Sequence, residues 1–228
     1  MQPYFFPYIG YFQLINSVDT FVFYDDVNYI KKGWINRNRI LGNTDIININ
    51  VPVVNASQNC PINQTFINSD HGKWKQYLLK KIAYSYKRSP YFADTYTLLE
   101  RILTEDITNV AEFNIAAINR ICMYLGIETK VIKASFFSIS PTIRGEKRIL
   151  ELCHKLNATM YINPFNGYDL YCTETFRNVG IELKFLTSNI SEYEQYENVF
   201  VPKLSIIDIL MFNHVSEIKK MLNDYQTI

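Results

Sequence analysis

Apolar residues in the second half of the chain fall into short runs that alternate with segments of helical spacing. The runs at 129–134, 159–163 and 181–186 predict strands, and the spacing at 146–156 and 170–178 predicts helices. Strands that alternate with helices form βαβ units. We therefore expect an α/β fold with a mostly parallel sheet and flanking helices.

Between residues 74 and 125 the spacing is helical throughout, beginning with a stripe of Trp74, Leu78, Ile82 and Tyr86. We expect a helical insert at about 73–125. Two more helices are predicted near the end of the chain, at 205–212 and 216–225. Because no linker or repeat interrupts this order, residues 1–228 are expected to form a single α/β domain.

The first part of the chain is predicted to contain a turn, a helix and three strands, at 2–10, 11–18, 20–24, 45–53 and 64–67. Asp25 and Asp26 directly follow the first of these strands. Ligands of open α/β sheets bind at the carboxyl ends of the strands. The two aspartates therefore indicate where a site is expected.

Composition and charge limit the classes of function. Of the 228 residues, 48% are hydrophobic and 20% are charged, which is typical of a folded domain. A formal net charge of +1 argues against nucleic acid as a partner, and no apolar run is long enough for stable membrane insertion. No signal peptide is evident, so we expect a cytoplasmic protein. Without a C-x-x-C pair or metal-like histidine spacing, no metal site is expected.

The N-terminal turn is the first segment whose residues suggest binding. Two prolines fix its backbone, and Gly10 permits a close approach at the start of a helix, where anions bind readily. A well-packed turn explains the same residues equally well. The candidate substrate-binding residues here are Gln2, Tyr4, Pro7, Gly10 and Tyr11.

The segment from residue 25 to 39 is the second candidate. Asp25 and Asp26 are candidate catalytic residues, because neighbouring carboxylates can hold a metal, bind sugar hydroxyls or act as acid and base. Like charges this close raise the pKa of one of the two. Arginines bind phosphate or carboxylate in bidentate fashion, and tryptophan stacks on a sugar or base. The candidate substrate-binding residues are Tyr29, Lys32, Trp34, Asn36, Arg37 and Arg39. The alternative is an acidic turn followed by a solvated basic face.

Four later residues are also candidates for a role in binding or in the fold. Asn163, at the end of a predicted strand, is a further candidate for substrate binding on the edge that carries Asp25. Arg148 either faces the site or lies on the surface of its helix, and the surface is slightly favoured. Ser205 is predicted to cap a helix, with Asp208 in a capping-box-like position.

The motifs QPYFFPYIGYF, DDVNY and WINRNRI resemble the N-terminal pattern of the WbqC-like family, and GEKRILELC, YINPFNGYDLY and LSIIDIL resemble its later parts more loosely. The resemblance covers nearly the whole chain and implies a link to bacterial surface-polysaccharide (O-antigen) synthesis. Relatives usually carry a short hydrophobic strand before the position of Gln2, so the sheet is expected to begin upstream or to lack that strand. A turn entering a helix, then a strand with acidic residues at its end, is also similar to HIGH-type nucleotidyltransferases. A nucleotidyltransferase-like core is therefore expected.

Three functional hypotheses follow. The first is an enzyme that transfers an acyl, aminoacyl or nucleotidyl group to an amino sugar or nucleotide-sugar. The sequence leaves its cofactor open, with ATP or another nucleotide and magnesium as the candidates. The second is a non-catalytic protein of the glycan assembly machinery that binds a sugar or nucleotide. The third is an interaction protein with an aromatic surface, which the polar residues of 25–39 argue against. In the first two, the partner is a small molecule.

Overall fold

The computed structural model describes residues 1–42, 45–54, 56–68, 73–196 and 199–228. The helices in these residues are α1 (Ile9–Asn16), α2 (Trp74–Tyr86), α3 (Phe92–Thr104), α4 (Val110–Leu125), α5 (Gly145–Lys155), α6 (Thr173–Arg177), α7 (Ile206–Phe212) and α8 (Val215–Met221). The strands are β1 (Thr20–Phe23), β2 (Arg37–Leu41), β3 (Ile46–Asn50), β4 (Val53–Val54), β5 (Phe66–Ile67), β6 (Lys130–Lys133), β7 (Met160–Pro164), β8 (Glu182–Ser188) and β9 (Tyr225–Thr227).

The fold is mixed α/β, and its parallel part is small. Strand β1 pairs in parallel with β6, and β7 pairs in parallel with β8. Antiparallel pairs join β2 to β3, β4 to β5, and β8 to β9. The expectation of one mostly parallel sheet was therefore too simple. Short connections let β2 and β3 pair with each other as a hairpin, and the last residues of the chain return to the edge of β8.

Most predicted helices and strands lie within a few residues of the observed ones, and three departures have local causes. Strand β2 was not predicted, because its buried positions include the polar Asn38. The helix expected at 170–178 is α6, preceded by a 3₁₀ segment at Phe165–Leu170. The helix expected at 216–225 ends at Met221, and the residues after it form β9.

Two hydrophobic clusters form the core. The larger one joins the N-terminal turn and α1 to helices α2–α4 and α7, with side chains such as Phe5, Phe12 and Phe113 fully or almost fully buried. The smaller one lies between α5, α6, β7 and β8, and contains Phe176 and Phe185. Burial of such side chains supplies the main driving force for folding. The helices of the predicted insert therefore contribute directly to the same core as the N-terminal turn.

Candidate functional site

The parallel pairing of β1 and β6 brings their carboxyl ends together. The register sets Phe23 beside Lys133, so Asp25 faces the 3₁₀ turn that follows β6. Asp25 Oδ1 accepts from the amide of Ser135 at 3.0 Å, and its Oδ2 accepts from Ser135 Oγ at 2.7 Å and from Asn63 Nδ2 at 3.3 Å. Asp25 is buried. Its carboxylate therefore holds three segments of the chain together.

The side chain of Asp26 contacts α5, the helix that comes after β6 and its 3₁₀ turn. Its Oδ2 forms an ion pair with Arg148 Nη2 at 2.5 Å, and Arg148 Nη1 donates to the carbonyls of Ile139 and Ser140, both at 3.2 Å. The side chains are 18% and 5% exposed, respectively. Asp26 Oδ1 and Arg148 Nε are buried without a hydrogen-bond partner. Within the described residues, the pair therefore has one acceptor and one donor atom that make no hydrogen bond.

Burial raises the pKa of the Asp26 carboxyl above its usual value. The guanidinium of Arg148 opposes this rise, and the negative charge of Asp25 adds to it. A raised pKa brings a carboxyl closer to the range in which it both accepts and returns a proton near neutral pH. The electrostatics of Asp26 therefore suit acid–base chemistry.

Two tyrosines with raised pKa values, Tyr24 directly after β1 and Tyr161 in β7, lie in this part of the fold. The guanidinium carbon of Arg148 lies 5.7 Å from the ring centroid of Tyr24, and burial raises the pKa of Tyr24 to about 12. Burial, and next the neighbouring Tyr171, raise the pKa of Tyr161 well above its usual value. Tyr161 donates its hydroxyl to Asn163 Oδ1 at 3.1 Å. The predicted site residue Asn163 is thus hydrogen-bonded to a tyrosine of its own strand.

The N-terminal turn lies beside the same strand end. The amide of Tyr24 donates to the carbonyl of Met1 at 2.7 Å, which places Gln2 next to Tyr24. Gln2 Oε1 is buried without a partner, and its carbonyl accepts from Tyr11 Oη at 2.8 Å. The ring of Tyr4 lies 5.7 Å from that of Tyr11. Gln2 is therefore a third group at this edge with an unused polar atom.

Pro7 and Gly10 make contacts that support the fold of the N-terminal turn. Pro7 is buried, and its carbonyl accepts from the amide of Ile206 at 2.9 Å. A Cβ on Gly10 would lie 2.4 Å from the ring of Tyr8, so the turn needs glycine there to pack that ring against the start of α1. Both residues thus shape the entry into α1.

The residues of segment 29–39 that were predicted to bind substrate form a second cluster, around Trp34. The guanidinium carbons of Arg37 and Arg39 lie 5.8 Å and 5.6 Å from the ring centroid of Trp34, which is 41% exposed. Arg37 Nε donates to the carbonyl of Gly33 at 3.0 Å, and its Nη2 donates to the carbonyl of Lys32. Arg39 Nε is buried without a partner. In the described part of the chain, neither arginine forms an ion pair with Asp25 or Asp26.

Hydrogen bonds tie this cluster to its surroundings. Tyr29 Oη donates to Asn36 Oδ1 at 2.6 Å, and Asn36 Nδ2 donates to the carbonyl of Val51 at 3.0 Å. The amide of Phe5 donates to the carbonyl of Trp34 at 2.9 Å, and Asn38 Nδ2 donates to the carbonyls of Phe5 and Phe6. The two N-terminal motifs are thus parts of one hydrogen-bonded unit, in which Tyr29 and Asn36 hold the segment that carries Trp34.

Sequence reasoning missed several groups at the strand ends. Arg148 was expected on the surface but is 4% exposed and paired to Asp26, so that expectation was wrong. A signal was available, because Arg148 and Leu152 are four residues apart and share the buried face of α5. Ser135, Asn63 and Tyr24 carry no such signal, since their roles depend on partners distant in sequence.

Other features of the surface are less suited to chemistry. Two shallow pockets of about 510 Å³ and 400 Å³ lie along α5 and beside α6, and neither is lined by Asp26 or Trp34. The part of the chain that the structure describes has no group of three histidine, cysteine or acidic side chains arranged for a metal. Within those same residues, no helix is long and apolar enough to cross a bilayer. The strand ends thus remain the best-formed candidate site.

Comparison with known proteins agrees with the motifs. The model of the WbqC-like protein family matches residues 2–220. The uncharacterized protein Rv1507c of Mycobacterium tuberculosis (strain ATCC 25618 / H37Rv) is 30% identical over 213 residues, which are 92% of this chain and 90% of that protein. No solved structure matches the chain. With the motifs of residues 2–39 in place and nearly the full length matched, the chain belongs to the WbqC-like protein family.

Proposed function

We propose that this protein is a cytoplasmic transferase of bacterial surface-polysaccharide (O-antigen) synthesis, with an amino sugar or nucleotide-sugar as its substrate. The observation that carries the proposal is the Asp26–Arg148 pair at the carboxyl end of β1, with its unused acceptor and donor. The resemblance to WbqC-like proteins supports the glycan as substrate class, and the site supports the chemistry. The group transferred is an acyl, aminoacyl or nucleotidyl group.

In each of these transfers a substrate amine or hydroxyl attacks an acyl carbon or a phosphorus. The nucleophile loses its proton as the new bond forms, and the leaving group departs with the electrons of the broken bond. Asp26 accepts the proton through Oδ1, because Oδ2 is held by Arg148. Arg148 Nε donates to the negative charge that develops during the transfer. Asp25 acts as a positioning residue, because its carboxylate is already bound by Ser135 and Asn63.

The Trp34 cluster supplies the second part of the proposed site. Arg37 and Arg39 bind the phosphate groups of a nucleotide or nucleotide-sugar, and Trp34 stacks on its base or sugar ring. A nucleotide cofactor such as ATP would bring magnesium ligated by its phosphate oxygens, which leaves Asp26 Oδ1 as the proton acceptor. The proposal places this nucleotide between the turn entering α1 and the acidic residues after β1, as a nucleotidyltransferase-like core would.

One observation favours a second candidate, a non-catalytic protein that binds a sugar or nucleotide. Asp25 has both oxygens engaged, so a single carboxylate, Asp26, is left for proton transfer. A binding protein needs no proton transfer and would use the same polar groups. Substitution of Asp26 distinguishes the two candidates.

The first experiment is a thermal-shift screen of the purified protein with ATP, other nucleotides, nucleotide-activated amino sugars and free amino acids, each with and without magnesium. A ligand at a hundred times its dissociation constant adds about 2.7 kcal/mol to the stability of the folded state. We expect a shift with a nucleotide or nucleotide-sugar that is lost in the double variant Arg37→Gln/Arg39→Gln. The control is Lys130→Gln/Lys219→Gln, which removes the same charge from exposed positions on β6 and α8. No shift with any ligand argues against the proposal.

The second experiment uses the ligand found in the first. Asp26→Asn keeps the size of the side chain and removes the base, so turnover should be lost while the thermal shift is retained. Asp19→Asn, at an exposed position just before β1, is the matched control. Full turnover in Asp26→Asn would exclude the proposed base. Binding without turnover in the wild-type protein, for every substrate combination tested, would favour the binding protein.

A further inference from the structure

Helix α2 has an outer face that differs in chemistry from the rest of the chain. Tyr77 and Tyr84, seven residues apart on this face, are 66% and 65% exposed although both are large aromatic residues. No acidic residue occurs between residues 73 and 88, although the chain as a whole has only one net positive charge. The face therefore combines exposed aromatic rings with a local excess of positive charge.

The basic residues of this face repeat with the same seven-residue spacing as the tyrosines. Residues seven apart lie on the same side of a helix, because two turns contain 7.2 residues. Lys73, Lys80 and Lys87 form one row, and Lys81 and Arg88 form another, and the two rows lie on either side of the tyrosine ridge. Together these five basic residues and two tyrosines are called the α2 face.

The positive charge of the α2 face is not neutralised within the described residues, where none of its five basic residues forms an ion pair. Lys81 donates to the carbonyl of Asn48 and lies 5.2 Å from the ring centroid of Tyr77. Arg88 lies 5.2 Å from the ring centroid of Tyr196. The opposite side of the helix is buried through Leu78, Ile82 and Tyr86. The helix is thus anchored in the core and presents its cations outward.

We infer that the α2 face docks this protein on an anionic phospholipid surface. The face is about 20 Å long from the 13 residues of α2, and carries lysine at four of its five basic positions. Lysine is a point charge that suits a loose array of headgroups, whereas arginine favours bidentate contacts with a particular phosphate. Tyrosine is typical of the interface between headgroups and water, with its ring among the lipids and its hydroxyl in water.

This inference goes beyond the proposed function and does not rest on it, because the α2 face contains none of the residues of the candidate site. It describes reversible attachment through charge and two aromatic rings, and it requires no segment that crosses the bilayer. A protein held in this way would encounter substrates and partners at the membrane surface at a raised local concentration.

The test measures partitioning of the full chain onto sedimented vesicles. Binding is expected with vesicles of phosphatidylcholine and phosphatidylglycerol, and not with phosphatidylcholine alone. Each basic residue at an anionic surface contributes about a fivefold change in partitioning. Lys80→Gln/Lys87→Gln should therefore lower partitioning about 30-fold, and Lys130→Gln/Lys219→Gln, which removes two exposed lysines elsewhere, should not. Raising the salt concentration to about 1 M, where the Debye length is about 3 Å, should release the protein.

The tyrosines are tested separately. Tyr77→Ser/Tyr84→Ser should weaken binding to the anionic vesicles while leaving the thermal unfolding midpoint unchanged, because both side chains are exposed. Equal binding to neutral and anionic vesicles, or equal loss in the α2 and control lysine variants, overturns the inference. Tighter binding to a DNA or RNA duplex than to anionic vesicles, lost in Lys80→Gln/Lys87→Gln, also overturns it and assigns the face to nucleic acid.

Discussion

At the scale of single residues, two adjacent aspartates have opposite surroundings. Asp25 accepts hydrogen bonds from Ser135 and Asn63 and is buried, whereas Asp26 has one oxygen paired to Arg148 and the other unpaired. Neighbouring carboxylates repel each other, so each needs its own compensating partners. The different partners give the two side chains different roles. Asp25 connects segments of the chain, and Asp26 has one carboxylate oxygen that makes no hydrogen bond.

Arg148→Ala is expected to destabilise the protein by about 3 kcal/mol, because it leaves the partly buried Asp26 carboxylate without its counterion. Urea denaturation measures the change. The double variant Asp26→Asn/Arg148→Met should recover most of the loss, since replacing a buried ion pair by neutral groups of similar size costs little. If the double variant is as unstable as Arg148→Ala, the loss comes from packing and not from the unpaired charge.

The raised pKa of Asp26 gives a pH dependence of defined sign. A carboxyl whose folded-state pKa lies above its unfolded value of 3.8 contributes stability that is present below 3.8 and is lost as the pH rises through the folded value. Asp26→Asn cannot show this loss. The stability of Asp26→Asn relative to the wild-type protein should therefore increase as the pH is raised above 3.8, in urea denaturation at a series of pH values.

Asp224 supplies the matched control for this pH dependence. Hydrogen bonds from Ser191 and Asn189 lower its pKa, so its contribution to stability is present above the unfolded value and is lost as the pH falls. Asp224→Asn should accordingly lose stability relative to the wild-type protein as the pH rises. Slopes of the same sign in the two variants would contradict the assignment of a raised pKa to Asp26.

At the scale of elements, the start of α7 shows what a local pattern can and cannot predict. Ser205 was predicted to cap this helix, and its Oγ does accept from the amide of Ile207 at 3.3 Å. Asp208 does lie in the predicted capping-box-like position in the first turn, but its side chain does not complete a capping box, because the amide of Ser205 donates to the carbonyl of Arg39 instead. Its carboxylate accepts from Tyr86, Tyr193 and Gln195 at 2.6–2.7 Å. Capping depends on neighbours in sequence, whereas a buried network depends on partners that only the fold supplies.

Ser205→Ala should destabilise the protein by about 2 kcal/mol. The change removes the cap of α7 and also the hydrogen bond from Ser205 Oγ to the carbonyl of Phe6 at 2.8 Å, which joins α7 to the N-terminal turn. Ser216→Ala, at an exposed position in α8, is the control and should change little. Equal effects of the two changes in urea denaturation would show that Ser205 contributes no more than an exposed serine.

At the scale of the whole molecule, the limit of sequence reasoning is set by distance along the chain. Helix α5 and strand β1 were predicted closely, because periodicity is a local property. The contacts that build the site join residues more than a hundred positions apart, as in Asp25–Ser135 and Asp26–Arg148. A single sequence predicts that polar groups follow β1. It does not predict which distant side chains meet them.

Tyr86 tests a connection between residues that lie more than a hundred positions apart. Its hydroxyl donates to Asp208 at 2.7 Å and accepts from the amide of Leu41 at 2.8 Å, and so joins α2 to α7 and β2. Tyr86→Phe keeps the ring and leaves two buried polar groups with one partner fewer, so we expect a loss of about 2 kcal/mol. The control is Tyr84→Phe on the exposed side of the same helix, which should change little.

Hydrogen exchange adds a measurement that separates this connection from packing alone. In Tyr86→Phe the amide of Leu41 loses its hydrogen-bond acceptor. Its exchange rate should therefore rise, relative to the wild-type protein, by more than the exchange rates of the other amides of β2. A uniform increase across β2 would instead reflect the lower global stability. If Tyr86→Phe is as stable as Tyr84→Phe and the exchange of Leu41 is unchanged, the helices and the β2–β3 hairpin are held together by apolar contacts and not through this hydroxyl.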